Sequence, residues 1–345
     1  MSAPKLGFEE SLLTNVVLKE LCSGCGACVL VCPFACLEYS EEKPNLVKKC
    51  EMCGICPRVC PRFEFSQEAM ERLAFERESQ PNEEFGIFRR LVIAQATDDA
   101  VLRVCQDGGV VSALLAYALD NGVVDSAIVS DMNKEKPWFP MPQLISASQD
   151  ILRCAGTKYT YSPSLLALQQ AVQQQKKSVA FVGTPCQIQS LRKIEAFPLK
   201  KYSSITRFTI GLMCTESFVY EGLLKNHVEK VLGVSLNDVA KMNIKGKILI
   251  STKSGQIMEM PLREAKQYTR KGCLPCTDFS AELADISVGG LGLNGWTFTI
   301  LRSKKGEEIF DDAEKAGAVR TRSVGEEKLA SDLLLKLSTR KKKRL

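Results

Sequence analysis

The chain has 345 residues, of which 45% are hydrophobic and 25% charged, and its formal net charge is +6. A chain of this length is expected to form two or three compact units with sizeable cores. No run approaches 18 uninterrupted apolar residues, so the sequence predicts no membrane-spanning helix. The N-terminal segment lacks a basic start followed by an apolar core, which favours a cytoplasmic protein without an export signal.

Fifteen cysteines and a single histidine, His227, set the available metal chemistry. Disulfides are rare in reducing compartments, so these thiols are expected to serve as metal ligands. One histidine nearly excludes the usual ligand sets of zinc and haem sites, which leaves sulfur as the ligating atom. The modest charge gives little reason to expect nucleic-acid binding. We predict that residues 336–345 form a basic tail that is solvated and frayed.

A cysteine motif occurs twice near the N-terminus. Residues 22–33 read CSGCGACVLVCP and residues 50–61 read CEMCGICPRVCP, a repeat at 28 positions. In two-cluster ferredoxins three closely spaced cysteines bind one 4Fe-4S cluster and the fourth, before proline, binds the other. The predicted ligands are therefore Cys22, Cys25, Cys28 and Cys60 for one cluster, and Cys50, Cys53, Cys56 and Cys32 for the second. Two structural zinc sites are the alternative, but such tight triplets suit separate tetrahedral cages poorly.

The predicted domains follow from these patterns. Residues 1–66 form the ferredoxin-type module with two 4Fe-4S clusters, and residues 67–90 form a helical linker. From residue 91 to residue 335, short β-rich runs alternate with amphipathic segments, which indicates a mixed α/β (α+β) domain. KILISTKSG and QIMEMPL predict a hairpin, and ADISVGG and TFTILRS predict further strands.

Two junctions in this domain place a glycine turn before a helix. Gly108 and Gly109 follow an apolar strand, so backbone N–H groups at the next helix could bind an anion. The alternative is a simple turn with Asp107 as the N-cap. Gly183 and Thr184 occupy a similar junction, followed by Cys186 at a helix start that would stabilise its thiolate.

Four further cysteines fit one additional metal site, because Cys273 and Cys276 have ligand spacing. The predicted ligands are Cys186, Cys214, Cys273 and Cys276. From spacing alone they could bind a third 4Fe-4S cluster or a zinc ion held by four thiolates. The other cysteines, Cys36, Cys105 and Cys154, are interpreted as small packing residues.

Residues 91–302 resemble the family of coenzyme F420 hydrogenase/dehydrogenase beta subunits. The resemblance rests on QDGGVVSALLAYAL, GTKYTYSP, FVGTPCQIQSL, GLMCTE and KGCLPCTDFSAELADISVGGLG. It favours the third 4Fe-4S cluster over zinc. It also implies a flavin-binding domain that exchanges a hydride between FAD and coenzyme F420. The residues implied around FAD are Gly108, Gly109, Thr157, Lys158, Tyr159, Gly183 and Thr184.

The resemblance extends to a mode of action. Members with a duplicated ferredoxin extension resemble the electron-input subunit of archaeal F420 dehydrogenase, which docks on a membrane complex that reduces quinone or methanophenazine. Reduced F420 would give a hydride to FAD, and single electrons would leave through three clusters to partner subunits. The protein would then be cytoplasmic, or peripheral on the inner face of the membrane.

Coenzyme F420 carries a phosphodiester and an acidic tail, so a cationic rim is expected around its site. The candidates are Lys158, Lys245, Lys247 and Lys271. Asp278 and Asp285 are expected to bind the cofactor or to brace the cysteine loop. Two alternatives remain open: a flavin-free relay subunit, and an F420-linked module that feeds another soluble reductase.

Overall fold

The structure is a computed structural model that describes residues 6–197 and 199–344. The first five residues of the predicted ferredoxin module, Pro198 and the last residue of the predicted tail lie outside this range. None of the helices in the described ranges combines the length and the apolar character needed to cross a membrane.

The N-terminal module contains the two copies of the cysteine motif. Its elements are a π-helical segment at Glu9–Val17, helix α1 at Ala27–Val31, strand β1 at Leu37–Ser40, strand β2 at Lys43–Leu46 and helix α2 at Ile55–Val59. Gly26 and Gly54 precede the two helices with φ of 80° and 73°, a conformation that glycine adopts readily. Both helices end at a cysteine that precedes proline, Cys32 and Cys60, because proline disfavours helical geometry in the residue before it.

A short helix connects this module to the rest of the chain. Helix α3 covers Gln67–Phe75, and its N-cap Ser66 accepts a hydrogen bond from the backbone N–H of Ala69. The helix begins where the sequence predicts the linker and ends at Glu76, which has positive φ.

The larger part of the chain is mixed α/β, as the sequence predicts. Its strands are β3 at Arg90–Ala96, β4 at Ser126–Met132, β5 at Pro140–Ile145, β6 at Val179–Gly183, β7 at Thr206–Leu212, β8 at Val239–Ile244, β9 at Lys247–Thr252, β10 at Ile257–Pro261, β11 at Ile286–Gly289, β12 at Thr297–Leu301 and β13 at Val319–Arg322. Its helices are α4 at Asp99–Val104, α5 at Val110–Asp120, α6 at Ile151–Cys154, α7 at Ala167–Gln173, α8 at Pro185–Ala196, α9 at Lys200–Ser203, a π-helical segment at Glu221–Val231, α10 at Leu262–Ala265, α11 at Lys304–Lys315 and α12 at Lys328–Lys342.

Within the described residues, eight of these strands form one large sheet in the order β13-β3-β12-β11-β7-β6-β4-β5, and three form a small sheet in the order β10-β9-β8. Strands β4, β6, β7 and β11 run parallel to one another. Strands β5 and β12 pair antiparallel with the two ends of this parallel group. The carboxyl ends of parallel strands meet at one edge of a sheet, and this edge is where ligands bind in α/β proteins.

The ferredoxin-type module and the α/β domain share one hydrophobic core. Val31 and Val59 of the module pack in the same cluster as Phe181 of β6 and Ile188 of α8. Tyr202 also donates a hydrogen bond to the carbonyl of Leu30 at 2.9 Å. The shared core fixes the module against α8.

The C-terminal basic residues correct one prediction. Instead of a frayed, solvated tail, helix α12 continues to Lys342, and Lys341 is only 3% exposed. Ala330, Leu334, Ser338 and Lys341 share one buried face of the helix. The buried stripe of an amphipathic helix therefore extends into residues that composition alone assigns to solvent.

Candidate redox site

The cysteines of the first predicted cluster lie together beneath the surface of the module. Burial raises the pKa of the Cys28 thiol, and the neighbouring thiols of Cys25, Cys22 and Cys60 raise it further. Such a group of thiols holds its protons until a metal displaces them. The structure thus brings together the four cysteines that the repeat predicts.

The second predicted group also converges. Burial raises the pKa of Cys56 to about 12, and the nearby thiols of Cys50, Cys53 and Cys32 add to the effect. The same four cysteines line a pocket together with Phe8, Phe34, Cys36, Leu37, Glu51 and Gly54. Because Phe34, Val47 and Met52 are exposed close by in the chain, this group lies at the protein surface.

Backbone N–H groups point at the sulfur atoms in both groups. The N–H of Gly24 lies 3.4 Å from Cys22 Sγ, and that of Cys36 lies 3.3 Å from Cys32 Sγ. The N–H of Phe8 reaches Cys50 Sγ at 3.4 Å. Such donors stabilise thiolate and sulfide charge, so the backbone fits an iron–sulfur cluster.

The third group collects cysteines from three separate segments. Cys186 lies in the first turn of α8, Cys214 follows β7, and Cys273 and Cys276 belong to the loop before β11. Burial raises the pKa of Cys214, and the thiols of Cys273, Cys186 and Cys276 lie close enough to raise it further. All four predicted ligands therefore face one another at the carboxyl edge of the large sheet.

These thiols are not arranged as a cage for one ion. Among the described residues, no three His, Cys, Asp or Glu side chains are close enough to hold a single metal ion. A single zinc ion needs its sulfur ligands within about 2.3 Å of the metal.

Two cations face the third group. Burial opposes ionisation of the Cys276 thiol, but the ammonium of Lys341 and the guanidinium of Arg62 lower its pKa below the ordinary value. Lys341 Nζ lies 3.3 Å from Cys276 Sγ. On the other side, the Tyr161 hydroxyl lies 3.2 Å from Cys186 Sγ. The two cations therefore favour the thiolate form, which metal binding requires, at Cys276.

Helix α8 links the third group to the first. Thr184 and Gln187 form a capping box at its start, and Pro185 occupies the first turn. One turn after Cys186, the hydroxyl of Ser190 lies 3.2 Å from Cys25 Sγ. One rigid helix therefore contacts ligands of two predicted clusters.

The same helix is tied to the module by a lysine. Lys193 Nζ donates to the carbonyls of Cys60, Phe63 and Glu64 at 2.8, 2.6 and 3.1 Å. Our sequence predictions do not include Ser190 or Lys193. Their spacing of four and seven residues from Cys186 places them on the same helix face, and this is the signal that identifies them.

The predicted flavin turn lies between α4 and α5, so a helix directly precedes it and not the apolar strand that the sequence predicts. Gly109 is the N-cap of α5 with φ of 74°, and no side chain caps that helix start within the described residues. Gly108 N–H donates to Thr297 Oγ1 at 3.0 Å, which holds the turn against β12. Asp107 is not the N-cap, and burial raises its pKa. The first-turn amides of α5 fit an anionic group such as a phosphate.

Gln106 connects this turn to two other segments. Its side chain accepts a hydrogen bond from the Thr157 N–H at 3.3 Å and donates to the Met242 carbonyl at 3.2 Å. Tyr159 approaches both Asp107 and the backbone of Ile244. The glycine turn, the segment of Thr157 and Tyr159, and strand β8 of the small sheet therefore meet in the structure. Gly183 and Thr184 lie at the same sheet edge, where β6 is separated from β12 by β7 and β11.

The four candidate lysines have different surroundings. Lys158 is largely buried and donates to the Cys154 and Ala155 carbonyls, so its contact with a cofactor stays a prediction. Lys245 is exposed at the turn between β8 and β9, near Asp107. Lys247 is paired with Glu259. Lys271 is paired with Glu20 of the ferredoxin-type module.

The two aspartates brace the polypeptide. Asp285 accepts hydrogen bonds from Thr209 N–H and Thr209 Oγ1, both at 2.8 Å, and from Ser303 Oγ at 2.7 Å. Asp278 accepts from the N–H of Glu282 at 3.1 Å. These contacts agree with the bracing alternative.

The fold and the gathered thiols define an iron–sulfur protein built on a mixed α/β domain. Comparison with known proteins identifies its family. The family model for the coenzyme F420 hydrogenase/dehydrogenase beta subunit matches at residues 91–169 for its N-terminal part and 176–327 for its C-terminal part. A 4Fe-4S binding domain matches at residues 16–38. The chain belongs to the family of coenzyme F420 hydrogenase/dehydrogenase beta subunits, which confirms the resemblance.

Individual relatives share most of the chain. The coenzyme F420 hydrogenase subunit beta of Methanothermobacter thermautotrophicus is 38% identical over 75% of this chain and 93% of its own. A subunit of the F420H2 dehydrogenase of Methanosarcina mazei is 31% identical over 87% of this chain and 84% of its own. In the solved F420-reducing [NiFe] hydrogenase complex from Methanosarcina barkeri, one chain matches with a TM-score of 0.73 and 35% identity, covering 77% of this chain and 92% of that chain. The mixed α/β fold and the iron–sulfur module are thus confirmed.

Proposed function

We propose that the chain oxidises reduced coenzyme F420 by hydride transfer to FAD and passes single electrons through three 4Fe-4S clusters to partner subunits. The domain from residue 91 to residue 335 is the proposed catalytic unit, and residues 1–66 are the proposed outlet for electrons. Family membership supports the F420-linked oxidoreductase part of this proposal. The flavin, the third cluster and the partner are inferred from the residues.

The observation that carries the proposal is the position of α8. Its first turn presents Cys186 to the third thiol group, and its next turn presents Ser190 to Cys25 of the first group. Cys28 of the first group in turn lies near Cys56 of the second. The three thiol groups therefore follow one another from the interior of the α/β domain to the surface of the module.

The residues around the glycine turn fit a flavin nucleotide. The uncapped start of α5 suits a phosphate, and the aromatic side chain of Tyr159 lies near Asp107 in the turn before that helix. A bound flavin would supply the conversion of one hydride into two single electrons. The protein's part is to orient substrate and cofactor and to keep the electron path short.

Lys245 is the lysine best placed to attract coenzyme F420. It is exposed at the turn between β8 and β9, near Asp107, whereas Lys247 and Lys271 already pair with carboxylates. An exposed ammonium near a cleft raises the local concentration of an anionic substrate. We therefore assign the phosphodiester or the acidic tail of F420 to this rim.

The second thiol group is the proposed exit to a partner. Cys32, Cys50 and Cys53 of this group are half-buried, and Phe34, Val47 and Met52 are exposed nearby in the chain. The resemblance of the ferredoxin extension to the electron-input subunit of archaeal F420 dehydrogenase implies a membrane complex that reduces quinone or methanophenazine as the partner. The protein would then be peripheral on the inner face of the membrane through these subunits. A soluble reductase as the acceptor is the alternative.

Iron and flavin analysis tests this proposal. The anaerobically purified protein is expected to hold one FAD and about twelve irons, four for each cluster. Cys214→Ala is expected to remove about four irons and to keep the two ferredoxin-type clusters. Cys154→Ala, a change at a cysteine outside the three groups, is the matched control and should retain all the iron. About twelve irons without flavin would instead support a flavin-free relay.

A further inference from the structure

The C-terminal basic residues contact two of the three segments that carry the third thiol group. Lys341 Nζ donates to the Cys214 carbonyl at 2.7 Å, to the Asp278 carbonyl at 2.8 Å and to Cys276 Sγ at 3.3 Å. An ammonium has three N–H donors, so these acceptors use its full capacity. Its side chain is thus fully committed to the site.

Arg344 adds a second attachment nearby. Its guanidinium donates to the Cys273 carbonyl at 3.2 Å and to the Thr215 carbonyl at 3.5 Å. It also lies 3.7 Å from the carboxylate of Glu216. The segment of Cys214 and the loop of Cys273 and Cys276 are therefore both held by α12 and the two residues after it.

The position of Lys341 on α12 follows from the helix packing. Ala330 and Leu334, on the same face, pack in the cluster that contains Phe279 of the cysteine loop. Lys341 lies on the same face, seven residues after Leu334, and its ammonium reaches the thiols. Packing of the apolar residues brings the buried charge to the site.

We propose that the end of α12 is an electrostatic clamp on the third cluster, in which Lys341 raises the reduction potential of that cluster and Lys341 and Arg344 keep its loops closed. This inference rests on the third cluster of the proposed function. The potential of a cluster depends on nearby charge, hydrogen bonds to sulfur and solvent exposure. Reduction adds negative charge, which a buried ammonium at a ligand sulfur stabilises. The clamp lies beyond residue 327, where the match to the family model ends.

The test uses the holoprotein of Lys341→Met, with Lys341→Arg to retain the charge. Lys343→Met is the matched control, because Lys343 is an exposed neighbour on the chain whose side chain makes no hydrogen bond or ion pair in the described part of the structure. Iron content is measured first, and each cluster is then titrated with electrons under spectroscopic detection. In K341M the reduction potential of one of the three clusters should fall by about 59 mV. For a one-electron step, this lowers the ratio of reduced to oxidised cluster about tenfold at a fixed potential.

The possible outcomes separate the two proposals. Finding only about eight irons in the wild-type protein would show that the third cluster is absent and would refute the proposed function. A K341M protein that loses about four irons, with K341R retaining them, would support the clamp through its closing role. Unchanged iron and three unchanged potentials in K341M would overturn the clamp. Equal iron loss in K341M and K341R would also overturn it, because charge would then play no part.

Discussion

The hydroxyl of Ser190 lies 3.2 Å from the sulfur of Cys25, and both residues are buried. When Cys25 binds iron as a thiolate, the hydroxyl is the group that donates. The contact joins the α/β domain to the ferredoxin-type module at a predicted cluster ligand. Ser190 therefore contributes to the properties of the first cluster although it belongs to another domain.

Ser190→Ala is expected to lower the reduction potential of the first cluster. The variant loses one hydrogen bond to a ligand sulfur, worth about 1 kcal/mol. An anaerobic redox titration that resolves the clusters measures the shift. Ser204→Ala, at an exposed serine, should leave all potentials unchanged. Identical titrations for wild type and S190A would show that the contact has no electronic role.

Lys193→Met should weaken the attachment of the module. The substitution leaves the carbonyls of Cys60, Phe63 and Glu64 without their donor, at a cost of about 1–3 kcal/mol. The urea concentration that abolishes cluster absorbance should fall. Lys304→Met removes the same charge at a side chain that is 81% exposed and should behave as wild type. Equal urea sensitivity of the two variants would contradict the role given to Lys193.

Glu282 predicts a pH dependence of stability. Burial, followed by the charge of Asp278, raises the pKa of Glu282 from 4.5 to about 7. Between these values the folded protein keeps the proton and the unfolded chain has lost it. Stability should therefore fall as pH rises towards 7, by about 1 kcal/mol per pH unit, and level off above about pH 7.

Glu282→Gln does not titrate and should show a flatter profile. Urea unfolding of wild type and E282Q between about pH 5.5 and about pH 7.5 makes the comparison. Glu308→Gln, at an exposed carboxylate, should keep the wild-type slope. Parallel profiles for wild type and E282Q would show that Glu282 is ionised throughout this range.

Lys245→Glu should raise the KM for reduced coenzyme F420. Reversing an exposed charge at the rim of the proposed F420 site repels an anionic substrate, and added salt should shrink the difference from wild type. Lys253→Glu is the matched control, because Lys253 lies just after β9, at the opposite end of the strand from Lys245. If both variants show the same KM at low salt, the assignment of the rim to F420 is wrong.

The sequence predicts much of the fold because its patterns are local. The cysteine repeat at 28 positions appears as two copies of one helical turn around Gly26 and Gly54. The hairpin predicted around Ser254 and Gly255 is present as β9 and β10, and the predicted strands β11 and β12 pair with each other. Spacing and turn chemistry determine such elements within a few residues of the chain.

The remainder depends on contacts between distant segments. A run of basic residues is usually solvated, and this is the basis for predicting a frayed tail. The prediction is wrong because Lys341 lies on the buried face that begins with Ala330 and Leu334. The ammonium then finds acceptors more than 60 residues away, near Cys276. No local pattern in the sequence identifies such a partner, although the helical spacing of the apolar residues indicates which face of α12 is buried.

Anaerobic rapid mixing of the holoprotein with reduced coenzyme F420 tests the central claim most directly. The appearance of oxidised F420 and the bleaching of the iron–sulfur absorbance are followed together, with and without bound flavin. In the wild-type protein we predict prompt bleaching that requires flavin. In the Cys214→Ala protein the ferredoxin-type clusters should stay oxidised. Clusters that stay oxidised while the protein holds its full iron and flavin would contradict the account.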